Sequence, residues 1–132
     1  MLKADVRILI IDDQPGIRRL LTEVLTEEGY FVATAVNGIE GVSKAQEIKP
    51  ALILLDMKMP GMDGIETLRE VKRFTQGEKV VMMTAYGELD LINQAHELGA
   101  YGYVTKPFDV LNLCRMIENI VSEPQAQQLL IG

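Results

Sequence analysis

The sequence predicts a single α/β domain, a parallel β-sheet covered by helices on both faces. Its 132 residues suffice for one continuous core and are too few for two ordinary ones. Short apolar runs of strand length alternate five times with segments of helical spacing, an order that points to a parallel sheet with helical crossovers. The first, third and fourth runs are apolar on successive residues, which suits strands buried on both faces.

The first strand is expected over residues 6–11, Val-Arg-Ile-Leu-Ile-Ile. Ile17, Leu20, Leu21, Val24 and Leu25 then step by three and four as one helix face, with Pro15 suited to the first turn because its missing N–H has no intrahelical partner to lose. Residues 30–35 form the second run. The helix after it, over 38–48, carries a thin apolar stripe interrupted by Gly41. The third run, 51–55, precedes a stripe of Ile65, Leu68 and Val71. The fourth, 79–84, precedes Leu89, Ile92 and Ala95. The fifth, 101–105, precedes Leu111, Cys114, Ile117 and Val121. Gly29, Gly38, Gly77 and Gly99 punctuate the boundaries. The last residues, with Pro124 and three Gln, read as a frayed end or the start of a linker.

Composition narrows the function. Nineteen acids against 13 bases give a net charge of −6, with 48% hydrophobic residues, a globular rather than disordered balance. A pI near 4.8 argues against a chain that itself grips nucleic acid, which needs clustered Lys and Arg. One Cys excludes a disulfide framework, and one Cys with one His excludes a Cys/His zinc site. No apolar run approaches ~18 residues, and the N-terminus lacks the long apolar stretch of a signal peptide, so a cytoplasmic protein with no membrane association is expected.

The polar residues that close the apolar runs carry the chemistry. In open doubly wound sheets, ligands bind beyond the carboxyl ends of the strands, where strand order reverses. Here those ends hold Asp12 and Asp13, Asp56, Thr84, and Lys106 before Pro107. They converge if the first and third strands are neighbours. Each feature alone suits an ordinary loop or helix N-terminus, but chance is a poor explanation for four strand ends out of five. Two carboxylates ~5 Å apart repel by roughly 3 kcal/mol at an effective dielectric of ~20. Such a cluster therefore calls for a cation or a retained proton. Oxygen ligands without His or Cys favour Mg²⁺, which keeps open positions for waters and phosphate oxygens. Asp56 is then the candidate nucleophile, with Lys106 and the Thr84 hydroxyl placed to stabilise a phosphoryl group.

The stretches Ile10-Ile11-Asp12-Asp13-Gln14, Leu54-Leu55-Asp56-Met57-Lys58-Met59-Pro60-Gly61-Met62-Asp63-Gly64, Met83-Thr84-Ala85 and Thr105-Lys106-Pro107-Phe108 resemble the receiver domain of two-component response regulators. The resemblance covers residues 1–122, leaving 123–132 as a tail or linker start. It implies a flavodoxin-like (βα)5 sheet with strand order 2-1-3-4-5, in which the first and third strands are adjacent. It implies that Asp56 accepts a phosphoryl group from a histidine kinase or a histidine phosphotransfer protein. Asp12, Asp13, Asp56 and the main-chain carbonyl of Lys58 would hold Mg²⁺, and Lys106 would contact the phosphoryl group. Thr84 would reorient to hydrogen-bond it, and Tyr103 matches the switch aromatic that packs inward when Thr84 moves. Such a domain is not a conventional enzyme: it catalyses its own phosphorylation and dephosphorylation.

Local wording is similar to the single-domain response regulators of sporulation phosphorelays, with the departure that those carry His at the position of Tyr103. The implied role is to relay phosphate, as a monomer or weak dimer. Partner helices would dock over Gln14, Pro15, Ile17 and Arg18. The alternative is the isolated receiver of a longer regulator, since residues 98–109 resemble receivers of sigma-54-dependent, DNA-binding activators. Rival chemistries lack their residues. A haloacid-dehalogenase-like phosphatase needs Asp where Lys58 stands, and the P-loop pattern is absent. His96 is expected in solvent, and Cys114, Met82 and Met83 in the core, with Met57, Met59 and Met62 filling space around the Asp56 loop.

Overall fold

A computed structural model describes residues 2–75 and 77–123. After a 3₁₀ turn at Lys3–Asp5, β1 (Arg7–Ile11), α1 (Pro15–Glu27), β2 (Phe31–Ala35), α2 (Gly38–Ile48), β3 (Leu52–Asp56), α3 (Gly64–Phe74), β4 (Lys79–Thr84), α4 (Leu89–Glu97), β5 (Gly102–Thr105) and α5 (Val110–Ser122) follow in strict alternation. All neighbouring strands pair in parallel, in the order β2-β1-β3-β4-β5. That is the flavodoxin-like order implied by the resemblance. Pro124 and the rest of the expected tail lie outside the described residues.

The continuous apolar runs are the three central strands. β3 is buried throughout and β1 and β4 nearly so, whereas edge strands β2 and β5 are largely half-exposed. Alternate side chains divide between two cores, as the two-residue period of a strand requires. Ile8, Ile10, Leu52, Leu54, Val81 and Met83 pack with Leu21 and Leu25 of α1 and Leu113, Cys114, Ile117 and Ile120 of α5. Leu9, Ile11, Ile53, Leu55, Val80 and Met82 pack with Ala45 of α2, Leu68 and Val71 of α3, and Ala95 of α4. Met57 and Met59 join this second core, as expected of space-fillers.

Some expected stripe positions differ. Leu20, Leu89 and Leu111 are 39, 64 and 61% exposed. Leu89 and Leu111 occupy the first turns of α4 and α5, at the sheet's rim, and Leu91, Leu113 and Ile120 take the inward places. The interruption at Gly41 is a packing device: a Cβ there would lie 2.5 Å from Ile11 Cδ1, so its absence lets α2 close onto β1.

Helix starts have side-chain causes. Asn37, Asp63 and Asp109 precede α2, α3 and α5, and their side-chain oxygens accept the amides of Glu40, Glu66 and Asn112 at 2.8, 2.9 and 3.1 Å. Pro15 opens α1 as expected. Among the described residues, no helix is long and apolar enough to cross a membrane.

Candidate functional site

The strand-end residues Asp12, Asp13, Asp56, Thr84 and Lys106 lie at the carboxyl edge of the sheet, and Tyr103 lies within β5. The parallel ladder places them. Ile11 pairs with Leu55 and Asp56 with Met83, so Asp12 and Asp56 emerge side by side from β1 and β3. The Asp12 N–H donates to Ala35 O, Met57 N–H to Met83 O, and Lys106 N–H to Thr84 O at 2.7 Å. These bonds carry the ladder one step past the strands and fix the loop entrances.

Asp12, Asp13 and Asp56 each present a carboxylate oxygen within 4.8 Å of the others. Asp12 is fully buried and Asp56 is 6% exposed, while Asp13 lies on the more open side. Lys106 Nζ donates to Asp12 Oδ2 at 2.8 Å and to Asp56 Oδ1 at 3.3 Å, and reaches Gln14 Oε1 at 3.4 Å. Burial works against the Lys106 charge, but the hydrogen bond and negative charge of Asp12, joined by Asp56, outweigh it and raise its pKa. Asp56 is pushed up to about 6, first by burial and then by the charge of Asp12, against which Lys106 pulls only partly. One ammonium therefore does not neutralise the cluster. Its donor set is oxygen only, in an arrangement fitted to a hard cation.

Asp12 is tethered at each polar group. Gln14 N–H donates to its Oδ1 at 2.9 Å, and Arg18 Nη1 to its main-chain carbonyl at 2.7 Å. Gln14 and Pro15 are exposed beside the cluster, and half-buried Ile17 packs on the first core. Arg18, expected on a partner-facing surface, is half-buried and spends one guanidinium nitrogen on Asp12. No sequence pattern signals this bond, since a six-residue separation from Asp12 is not a helical contact.

The loop from β3 to α3 shows why its residues are spaced as they are. Gly61 adopts φ +75, a left-handed conformation that glycine reaches without a Cβ penalty. Asp63 caps α3, and its carbonyl accepts the Thr67 hydroxyl. Gly64 presses against the chain just after Asp56, its N–H donating to Met57 O at 2.9 Å; a Cβ would fall 2.7 Å from Met57 Cα. The Lys58 side chain extends to Glu88 Oε2 at 3.3 Å, and no hydrogen bond to the Lys58 carbonyl is made among the described residues.

Thr84 is 1% exposed, and its hydroxyl has no hydrogen-bond partner among the described residues. Tyr103 is 49% exposed on the outer side of β5, beside a groove of about 290 Å³ lined by Met82, Ile92, Ala95 and His96. His96 is exposed and Cys114 buried, as expected.

A 2-1-3-4-5 parallel sheet with three acids, a lysine and an unpartnered threonine at its carboxyl edge defines a receiver. The chain belongs to the response regulator receiver domain family, whose family model matches residues 8–118. Among characterised proteins it is similar to sporulation initiation phosphotransferase F of Bacillus subtilis (strain 168), 51% identical over 104 residues, 79% of this chain and 84% of that protein. It is also similar to the chemotaxis protein CheY of Treponema pallidum (strain Nichols), 37% identical over 121 residues, 89% of this chain and 84% of that one. In structure it matches a response regulator receiver domain protein from Clostridium thermocellum with TM-score 0.84 and 32% identity, over 95% of this chain and 98% of that one.

Proposed function

We propose that the chain takes a phosphoryl group from a phosphohistidine donor onto Asp56 and relays it or uses it to switch partner binding. The observation that carries this reading is the environment of Asp56, a buried carboxylate at the end of the central strand, 3.3 Å from Lys106 and clustered with Asp12 and Asp13. Its ionised oxygen would attack phosphorus as the P–N bond of phosphohistidine breaks, the electron pair leaving with the imidazole nitrogen. Lys106 is placed to hold an oxygen of the transferring group. Asp12, Asp13, Asp56 and the Lys58 carbonyl would bind Mg²⁺. When bound, the ion neutralises the acids and draws in phosphoryl oxygens.

Thr84 supplies the readout. Its unpartnered hydroxyl would donate to the new phosphoryl group, and Tyr103 would turn into the adjoining groove as Thr84 moves. Histidine kinases and histidine phosphotransfer proteins are the partners this chemistry requires. They would dock over Gln14, Pro15 and Ile17, with Arg18 presenting its remaining donors. A cytoplasmic site of action accords with those partners. The relay reading is preferred to that of a receiver in a longer DNA-binding regulator on the 51% identity with sporulation initiation phosphotransferase F.

Incubation with acetyl phosphate and Mg²⁺, followed by intact-mass measurement, tests the assignment. One phosphoryl adduct is expected, lost in Asp56→Asn. An adduct that persists in the variant refutes Asp56 as acceptor.

A further inference from the structure

Two buried side-chain oxygens among the described residues have no hydrogen-bond partner, and both lie in the connection from β4 to α4: Thr84 Oγ1 and Glu88 Oε2. Such groups are uncommon in native structures, and each raises the free energy of the arrangement that contains it. Thr84 is accounted for by the phosphoryl group it would meet. Glu88 is not part of that account.

The Glu88 side chain is 9% exposed and joins two loops. Its Oε1 accepts the Ala85 N–H at 2.5 Å, directly after Thr84. Its Oε2 lies 3.3 Å from Lys58 Nζ, in the loop that follows Asp56. Lys58 is 73% exposed, so water screens this ion pair and it compensates little for a buried carboxylate oxygen. Apolar residues close to Glu88 in the chain are exposed: Tyr86 is 95% and Leu89 64% exposed. Main-chain bonds hold the two ends of the connection, at Thr84 O and Glu88 O, and between them the Ala85 amide is held by the Glu88 carboxylate.

We propose that Glu88 is a positioning residue that latches the β4–α4 connection in its unphosphorylated arrangement, opposing the movement of Thr84. The inference rests on the reading of Asp56 and Thr84 given above. At rest, Glu88 holds the Ala85 amide through Oε1, while Oε2 faces Lys58 across a screened ion pair without a hydrogen bond. Recruitment of the Thr84 hydroxyl by a phosphoryl group displaces Ala85 and frees the carboxylate to return to water. The movement of Thr84 and the release of Glu88 are then coupled through the Ala85 amide that follows Thr84 and that Glu88 holds.

Removing the latch therefore favours the arrangement that accepts phosphate. In Glu88→Ala, the initial rate of adduct formation from acetyl phosphate is expected to rise about fivefold or more, the lower range of ordinary coupling between sites. Glu88→Gln, which keeps an acceptor for the Ala85 amide and loses the charge facing Lys58, is expected between the two. The Ala85 amide in unphosphorylated Glu88→Ala is expected to exchange its hydrogen faster than in wild type. In a Thr84→Ala background, Glu88→Ala is expected to leave the rate unchanged, because no hydroxyl remains to be released. A merely structural role would not show that dependence on Thr84. Adduct on the wild type with no acceleration in Glu88→Ala, or an acceleration that persists with Thr84→Ala, overturns the latch alone. No adduct on the wild type overturns the Asp56 reading and the latch with it.

Discussion

Under the proposed function, Asp56 combines two demands that conflict. A nucleophilic carboxylate must be ionised, yet burial and Asp12 lift its pKa to about 6. The conflict has a consequence for stability without metal. Below about pH 4 the acid is protonated in both folded and unfolded chains and carries no penalty. As pH rises toward 6 the unfolded chain releases the proton first, so stability falls; above 6 the loss is complete and constant. A shift of about two units corresponds to about 3 kcal/mol. Asp56→Asn is thus expected to be more stable than wild type by up to about 3 kcal/mol at pH 7 in chelator, with the two converging near pH 4. Urea denaturation at both pH values measures it, and equal stability at pH 7 contradicts it. The residue types of this cluster were legible at the strand ends. The roles of Arg18 and Glu88 were not, because a surface arginine and a helix-capping acid look the same in sequence whether or not they turn inward.

The elements set the site through their ends. β1 and β3 lie adjacent at the centre, so Asp12 and Asp56 meet although 44 positions separate them, and Lys106 arrives from β5 across Thr84. The loop after β3 depends on Gly64 for its close return to Met57. Gly64→Ala is expected to cost about 1–3 kcal/mol of stability by overpacking against backbone that cannot yield, with a lowered urea midpoint as the readout. An unchanged midpoint would show that the loop has room to shift. Strand and helix positions were readable because burial on both faces leaves consecutive apolar residues in β1, β3 and β4. The inward faces of α4 and α5 were read correctly at Ile92, Ala95, Cys114, Ile117 and Val121 and extended one place too far at the helix starts, to Leu89 and Leu111. Helical periodicity names a stripe but not where the sheet beneath it begins.

For the molecule as a whole, the charge of −6 is partly a concentrated site. Asp12, Asp13 and Asp56 place three negative charges in one pocket against the single ammonium of Lys106. Cation binding should therefore stabilise the entire fold. At Mg²⁺ one hundred times the dissociation constant the gain is about 2.7 kcal/mol, as for any ligand of the native state alone. A rise in Tm on adding Mg²⁺, reversed by EDTA and absent in Asp12→Asn/Asp13→Asn, is the expected result; a rise that survives the double substitution would place the ion elsewhere.

The alternation of strands and helices, the three central strands and the polar residues that end them can be read from the chain's residues alone. Those follow from local periodicity and from which side chains tolerate burial. The raised pKa of Asp56 beside Asp12, the bracing of Asp12 by Arg18 and the unsatisfied oxygens of Thr84 and Glu88 in one connection emerge from the assembled fold. Electrostatic and hydrogen-bond energies depend on distance and desolvation, and both are set by strand order and by the direction each side chain takes once the sheet is assembled.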